Sequence, residues 1–178
     1  MKKIVAVFLT SALLVFASVS CGAKKEAPGG GSSQSPQSAA QQHRDAAPDF
    51  SMPSIKTGEI RLSDHKGKVI ILDFWATWCP PCRAKIPFFM ELQEEYGKKG
   101  FTMIGAAIND TEDKIKNYAK SQKINYPVGM ADRKMANDYG GITGLPTTFV
   151  IDRQGVIRKV YVGFRPKSVF EADIKELL

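Results

Sequence analysis

The sequence is poor in the residues that build metal centres and cross-linked scaffolds. Its 178 residues include three cysteines and two histidines, His43 and His65. Three cysteines cannot frame a disulfide-built mini-protein, and one Cys-x-x-Cys pair with a spare imidazole falls short of an ordinary zinc cluster, so no metal or other cofactor is implied. No Gly-x-y period and no heptad repeat runs through the chain, which excludes collagen-like and coiled-coil architectures. A large excess of one charge is also missing: the net charge of +7 falls to +5 without the first twenty residues, which carry Lys2 and Lys3 and no acid. That mild basicity is not the footprint of a nucleic-acid binder. With 43% hydrophobic and 10% aromatic residues the chain is globular in composition, and its length suits one well-packed domain.

Residues 1–20 read as a secretion signal, with Lys2 and Lys3 ahead of an apolar run from Ile4 to Val19. Val19-Ser20-Cys21-Gly22 then resembles the lipobox of bacterial lipoproteins, although Ser18 stands where an aliphatic residue is usual. The resemblance implies cleavage before Cys21 and lipidation of its thiol, which accounts for a cysteine otherwise odd in an exported chain. Competing readings are cleavage that leaves a free thiol, and an uncleaved anchor, for which the apolar run is at the short end of spanning length. Residues 22–47 hold no Val, Ile, Leu, Met or aromatic residue and cannot offset the entropy of ordering, so they read as a flexible tether with a reach of about 30 Å. The chain thus divides into a signal peptide (1–20), a lipid-anchored tether (21–47) and one domain (48–178), placed outside the cytoplasm on the periplasmic side of a bacterial envelope.

Within the domain, Lys68–Ala76 is a nearly unbroken apolar run, as in a central strand covered on both faces. Pro80–Tyr96 has helical spacing, with Ile86, Phe89, Met90 and Tyr96 on one side. Phe101–Ile108 forms a second apolar strand, so the strand, helix and strand make a right-handed parallel crossover. A helix capped by Asp110 or Thr111 and running to about Gln122 follows, then a shorter one over 133–139. Thr147–Ile151 and Val156–Val162 flank a hairpin turn at Asp152–Gly155, and Phe170, Ile174 and Leu177 mark a last helix. This is an α/β domain with a mixed sheet, preceded by a short β-hairpin over 50–62.

The chemistry lies in Trp75-Ala-Thr-Trp-Cys79-Pro-Pro-Cys82-Arg, at the junction of the first strand and first helix. Cysteines three apart at a helix start can close a small disulfide ring, and Cys79 there meets unpaired N–H groups and the positive helix end. This favours a thiolate, the species that attacks disulfides, with Cys82 one turn further in to resolve the mixed disulfide. A half zinc site lacks its second pair of ligands. A purely structural disulfide explains the pair but not its flanks, since so short a loop restricts the unfolded chain little.

Asp73–Arg83 with Pro87 closely resembles the active-site segment of the thioredoxin superfamily, and Gly144-Leu-Pro-Thr-Thr-Phe-Val-Ile-Asp152 resembles its second signature, the loop holding a cis-proline. The likeness covers 48–178. The extra helix and strand at 111–130 and the export signal narrow it to the TlpA/ResA-type extracytoplasmic thiol–disulfide oxidoreductases. It implies a thioredoxin-like fold whose mixed central sheet is flanked by helices, with an N-terminal β-hairpin and an inserted helix and strand. By position it makes Cys79 the nucleophile and Cys82 the resolving thiol. Pro146 becomes the cis-proline against the disulfide, and Leu145 and Trp78 become substrate-binding residues, while Trp75 either joins them or belongs to the core. Asp73, a carboxylate in an apolar strand whose pKa burial should raise, becomes a proton-transfer group for Cys82 or else a buried structural acid satisfied by the backbone or a lysine. Lys85 departs from the ResA-like relatives, which often carry a glutamate there; it reads either as a charge that favours thiolate or as a solvated helix lysine.

The resemblance favours a membrane-tethered disulfide reductase. Such an enzyme takes electrons from a membrane-embedded thiol carrier and passes them to exported proteins, apocytochrome c being the best-known type of client; it has no nucleic-acid partner and is read as a monomer. A peroxiredoxin-like peroxidase shares the fold, but its Pro-x-x-x-Thr-x-x-Cys pattern meets Leu72 and Ala76 in this chain. A redox-gated adaptor is the non-enzymatic alternative.

Overall fold

The computed structural model describes residues 46–178 except Thr57. The signal peptide, Cys21 and nearly all of the tether lie outside the described residues. The elements are β1 (Ser51–Pro53), β2 (Glu59–Arg61), β3 (Val69–Trp75), α1 (Pro80–Tyr96), β4 (Phe101–Ala107), α2 (Glu112–Ser121), β5 (Val128–Met130), α3 (Arg133–Asp138), β6 (Thr147–Ile151), β7 (Ile157–Val162) and α4 (Lys167–Leu177).

All seven residues of β3 are buried, as its apolar run requires, because the strand lies mid-sheet with helices or loops on both faces. The sheet order is β5-β4-β3-β6-β7. β3, β4 and β5 are parallel, and β6 and β7 are antiparallel additions, which makes the sheet mixed. Side chains alternate across β3. Val69, Ile71 and Trp75 join Ile86, Phe89, Ile115 and Phe170 from α1, α2 and α4. Ile70, Leu72 and Phe74 face the other way, onto the hairpin, α3 and Tyr139. On that second face Phe50, Phe74, Tyr139 and Phe149 pack at centroid distances from 5.0 to 6.2 Å. Tilted and edge-on pairs of this kind each add about 0.5–1.5 kcal/mol beyond area burial.

The hairpin predicted over 50–62 forms as β1 and β2, and it covers the open edge of β5. Ser54 bridges Gly129, and the Ile55 N–H donates to the Val128 carbonyl. Gly129 makes this approach possible, since a Cβ there would stand 2.7 Å from the Pro53 carbonyl oxygen and 2.9 Å from Met52 Cγ. Gly129→Ala is therefore expected to cost about 1–3 kcal/mol, read by chemical denaturation, because the clash is with backbone.

Candidate active site

Cys79 is the N-cap of the 17-residue helix α1 and forms a disulfide with Cys82. The Cys79 sulfur accepts the Cys82 N–H at 3.3 Å. Pro80 and Pro81 fill the first two helical positions and bring no N–H of their own. The sulfur therefore feels the helix dipole and a single backbone donor. Cys82 is fully buried and Cys79 is 3% exposed, so of the two only Cys79 presents any surface. Pro81→Ala restores one donor near the sulfur. If it reaches the Cys79 thiolate, the expected gain is about 1 kcal/mol, a lower Cys79 pKa and a potential raised by roughly 20 mV, measured by glutathione equilibration.

The loop before Cys79 is held from the end of β4. Asp110 Oδ2 accepts the Thr77 N–H at 2.7 Å and the Thr77 hydroxyl, and Asp110 Oδ1 accepts the Thr111 N–H at 2.8 Å. Partial burial raises the Asp110 pKa, but the Thr77 side chain, the Thr77 and Thr111 N–H groups and Lys114 outweigh it, and the net shift is downward. Asp110 thus ties the active-site loop to the start of α2; Thr111 occupies the N-cap but makes no side-chain cap bond. Trp78 is 58% exposed, and its indole N–H donates to the Asn109 carbonyl at 2.9 Å. Trp75 instead belongs to the core.

The Leu145–Pro146 peptide bond is cis, and the Pro146 carbonyl accepts the Gly163 N–H at 2.8 Å. Val162 and Phe164, on either side of Gly163, are exposed, and Phe164 packs edge-on to Phe88 of α1 at 6.3 Å. With Trp78, these are the exposed large hydrophobic side chains among the described residues, and they lie at the end of the sheet that carries the disulfide.

Asp73 points from β3 toward α1. Lys85 Nζ donates to Asp73 Oδ1 at 2.7 Å and to Thr148 Oγ1 at 2.8 Å, and the Thr148 hydroxyl donates to the same Asp73 oxygen at 2.6 Å. Lys85 is fully buried, its ammonium 5.1 Å from the Phe89 ring centroid and 5.6 Å from that of Phe170. It is not a solvated helix lysine. Burial raises the Asp73 pKa above the ordinary carboxylate value against the opposing pull of Lys85 and Thr148.

Residues 43–160 match the AhpC/TSA family. The chain belongs to this family, within the thioredoxin superfamily. It is 35% identical over 133 residues to the thioredoxin-like protein YneN of Bacillus subtilis, covering 72% of this chain and 76% of that one. It is 33% identical over 132 residues to the thiol-disulfide oxidoreductase ResA of Bacillus thuringiensis, covering 74% and 76%. A thiol:disulfide interchange protein of the thioredoxin family from Chlorobium tepidum superposes with a TM-score of 0.72 at 40% identity, covering 78% of this chain and 99% of that one. The fold is thioredoxin-like, and the chain is a thiol–disulfide oxidoreductase with a close cysteine pair at Cys79 and Cys82.

The structure adds Thr148, Asp110, Val162 and Phe164 to the site residues that the sequence suggested, and it makes Lys85, which the sequence left as either an active-site charge or a solvated lysine, the buried partner of Asp73. Only Lys85 had a local signal. It falls on the stripe of Cys82, Ile86, Phe89 and Tyr96 that faces the core.

Proposed function

We propose that this oxidoreductase works as a reductase of disulfides in exported proteins, held at a membrane through lipidated Cys21. The observation that carries the reading is the Cys79–Cys82 pair at the start of α1, at the same end of the sheet as the cis Leu145–Pro146 bond and the exposed apolar side chains Trp78, Val162 and Phe164. An extended client segment lies along Leu145 and Pro146, with Trp78 flanking its cysteine. Cys79 thiolate attacks one client sulfur, the client S–S bond breaks, and its other sulfur leaves as thiolate. Cys82 then attacks the Cys79 sulfur, closes the enzyme disulfide and releases the client dithiol, so two electrons pass from enzyme to client. Asp73, its carboxylate pushed up by burial, takes the Cys82 proton. A membrane-embedded thiol carrier returns the enzyme to the dithiol.

The export signal, the lipobox-like Cys21 and the tether support the location, and apocytochrome c with its Cys-x-x-Cys-His segment is the client type proposed. The test is the reduction potential together with electron transfer to an oxidised Cys-x-x-Cys-His peptide. A potential below that of the peptide disulfide and rapid transfer are expected, whereas a potential near −120 mV, typical of strong disulfide oxidants, overturns the reductase direction. Mass spectrometry of the mature N-terminus tests the anchor, and an unacylated Cys21 removes it. The AhpC/TSA match keeps a peroxidase reading in view. The positions that would need its proline and threonine hold Leu72 and Ala76, both fully buried, and peroxide turnover dependent on Cys79 would restore it.

A further inference from the structure

A second surface, apart from the disulfide, carries the domain's excess charge. Residues 46–178 hold twenty lysines and arginines against sixteen acids, a net charge of +4. Residues 114–123 alone hold Lys114, Lys116, Lys120 and Lys123 and no acid, so the rest of the domain is balanced. Three of these lysines and Lys56, from the turn between β1 and β2, rim a groove of about 460 Å³ beside the edge of β5. No acidic residue lines the groove, and Ile55, Ile124 and Val128 are among the apolar side chains that do. Among the described residues only Lys116 of this set is in an ion pair, an exposed one with Glu112, while Lys56, Lys114, Lys120 and Lys123 are in none.

Two features separate this cluster from an ordinary solvated helix face. Lysines near a helix C-terminus complement its dipole, which accounts for Lys120 but not for Lys56, Lys114 or Lys116. Lys123 follows α2 with φ of 53°, in the left-handed region where glycine or asparagine is usual. The backbone there is strained for a lysine, yet a lysine occupies it, on the groove's rim. α2 also runs away from the disulfide. Its first turn, with Glu112 and Asp113, follows Asp110, which grips Thr77. Its last turn, with Lys120, lies about 12 Å further on at 1.5 Å per residue.

We infer that this lysine-rimmed groove is a docking surface for the anionic headgroups of a phospholipid bilayer. The inference rests on the tethered reading above, which places the domain within reach of a membrane. Four ammonium groups around an apolar floor match a surface of phosphates over acyl chains, and each base near such a surface adds to affinity within a Debye length. Docked there, the domain keeps its disulfide and the apolar rim around it clear of the lipid, open to clients.

The test uses the chain from Cys21 onward with Cys21→Ser, so that no acyl group can form, in sedimentation with vesicles of phosphatidylglycerol and phosphatidylcholine in equal parts or of phosphatidylcholine alone. Binding to the anionic vesicles only, weakened by salt, is expected. Lys56→Glu with Lys120→Glu should lower vesicle affinity at least about tenfold, whereas Arg133→Glu with Lys134→Glu, the same charge change on α3, should alter it less than about twofold. Lys123→Gly separates docking from folding: relief of the left-handed strain should raise the thermal midpoint while vesicle affinity falls about fivefold. Equal losses from the two double variants, equal binding to neutral vesicles, no binding, or tighter capture by soluble polyglutamate than by the vesicles would each overturn the inference. Acylation of Cys21 is measured separately, so an acylated chain whose Cys21→Ser form ignores anionic vesicles refutes the docking surface alone.

Discussion

Replacing Lys85 with methionine is expected to destabilise the domain by about 3–5 kcal/mol near neutral pH, with a loss that grows as pH rises. Lys85 and Asp73 are both buried, with side chains 0% and 3% exposed, and the pair is closed by Thr148. Removing the ammonium leaves a carboxylate in apolar surroundings with one hydroxyl for a partner. The carboxyl then takes up a proton. Asp73 already sits above the ordinary carboxylate value because burial outweighs the Lys85 charge, and without Lys85 it moves higher. A carboxyl raised on folding binds its proton more tightly in the folded state. Its contribution is complete below the unfolded value of about 4 and is lost as pH climbs toward the folded one. The variant should therefore lie nearest the wild type at about pH 4 and fall away from it toward neutrality. The groups facing Asp73 do not blur this: Thr148 does not titrate, and Tyr126, also raised well above 10 by burial and by Asp73, stays neutral throughout. Urea denaturation at intervals from about pH 4 to 8 measures it, and a pH-independent loss would mean that only packing had been removed.

The matching cycle assigns the cost. Asp73→Asn alone leaves the Lys85 ammonium buried without its counter-charge, and it is expected to destabilise by a similar amount. Asp73→Asn with Lys85→Met removes both charges and should recover most of the loss, since a neutral pair of similar volume often equals a buried ion pair. Disulfide exchange separates structure from chemistry. If Asp73 takes the Cys82 proton, the restored double variant regains stability but not the rate of the resolving step.

The parts of this fold that could be read along the chain are those decided by local pattern. The apolar run at 69–75 and the proline-initiated helix from Pro80 to Tyr96 were both legible, because burial on two faces and helical spacing leave marks within a few residues. Burial of Asp73 was equally visible, flanked as it is by Leu72 and Phe74. Which lysine would satisfy it was not. Lysines are so seldom fully buried that residue type outweighed the helical position of Lys85, although one turn separates it from Cys82 and another from Phe89. Asp110 stands 33 residues from Thr77, and only the sheet brings them together. Val162 and Phe164 look like ordinary strand-end residues until β7 pairs with β6 and sets them beside Pro146.

Cys79→Ser should reduce disulfide exchange to the uncatalysed background, while Cys82→Ser should retain one fast half-reaction and then stop. The asymmetry follows from where the two sulfurs lie. Cys79 caps α1, takes the Cys82 N–H and has some exposure; Cys82 has none. Without Cys79 the remaining thiol is enclosed and meets no client. Without Cys82 the Cys79 thiolate still attacks, one client thiolate leaves, and the mixed disulfide persists because no second sulfur stands within reach to cleave it. Incubating Cys82→Ser with an oxidised client and analysing it under non-reducing conditions should show a single covalent adduct through Cys79 that dissolves on added dithiol. Equal adduct formation by the two variants would mean that both sulfurs are reachable, and the order of attack assigned to them would fail. Rapid alkylation of reduced Cys79 at neutral pH, with Cys82 reacting only after denaturation, is the companion result. If both thiols proved inert in the folded protein, the thiolate that the helix start should stabilise would not be accessible, and exchange would have to proceed through an opened form of the domain.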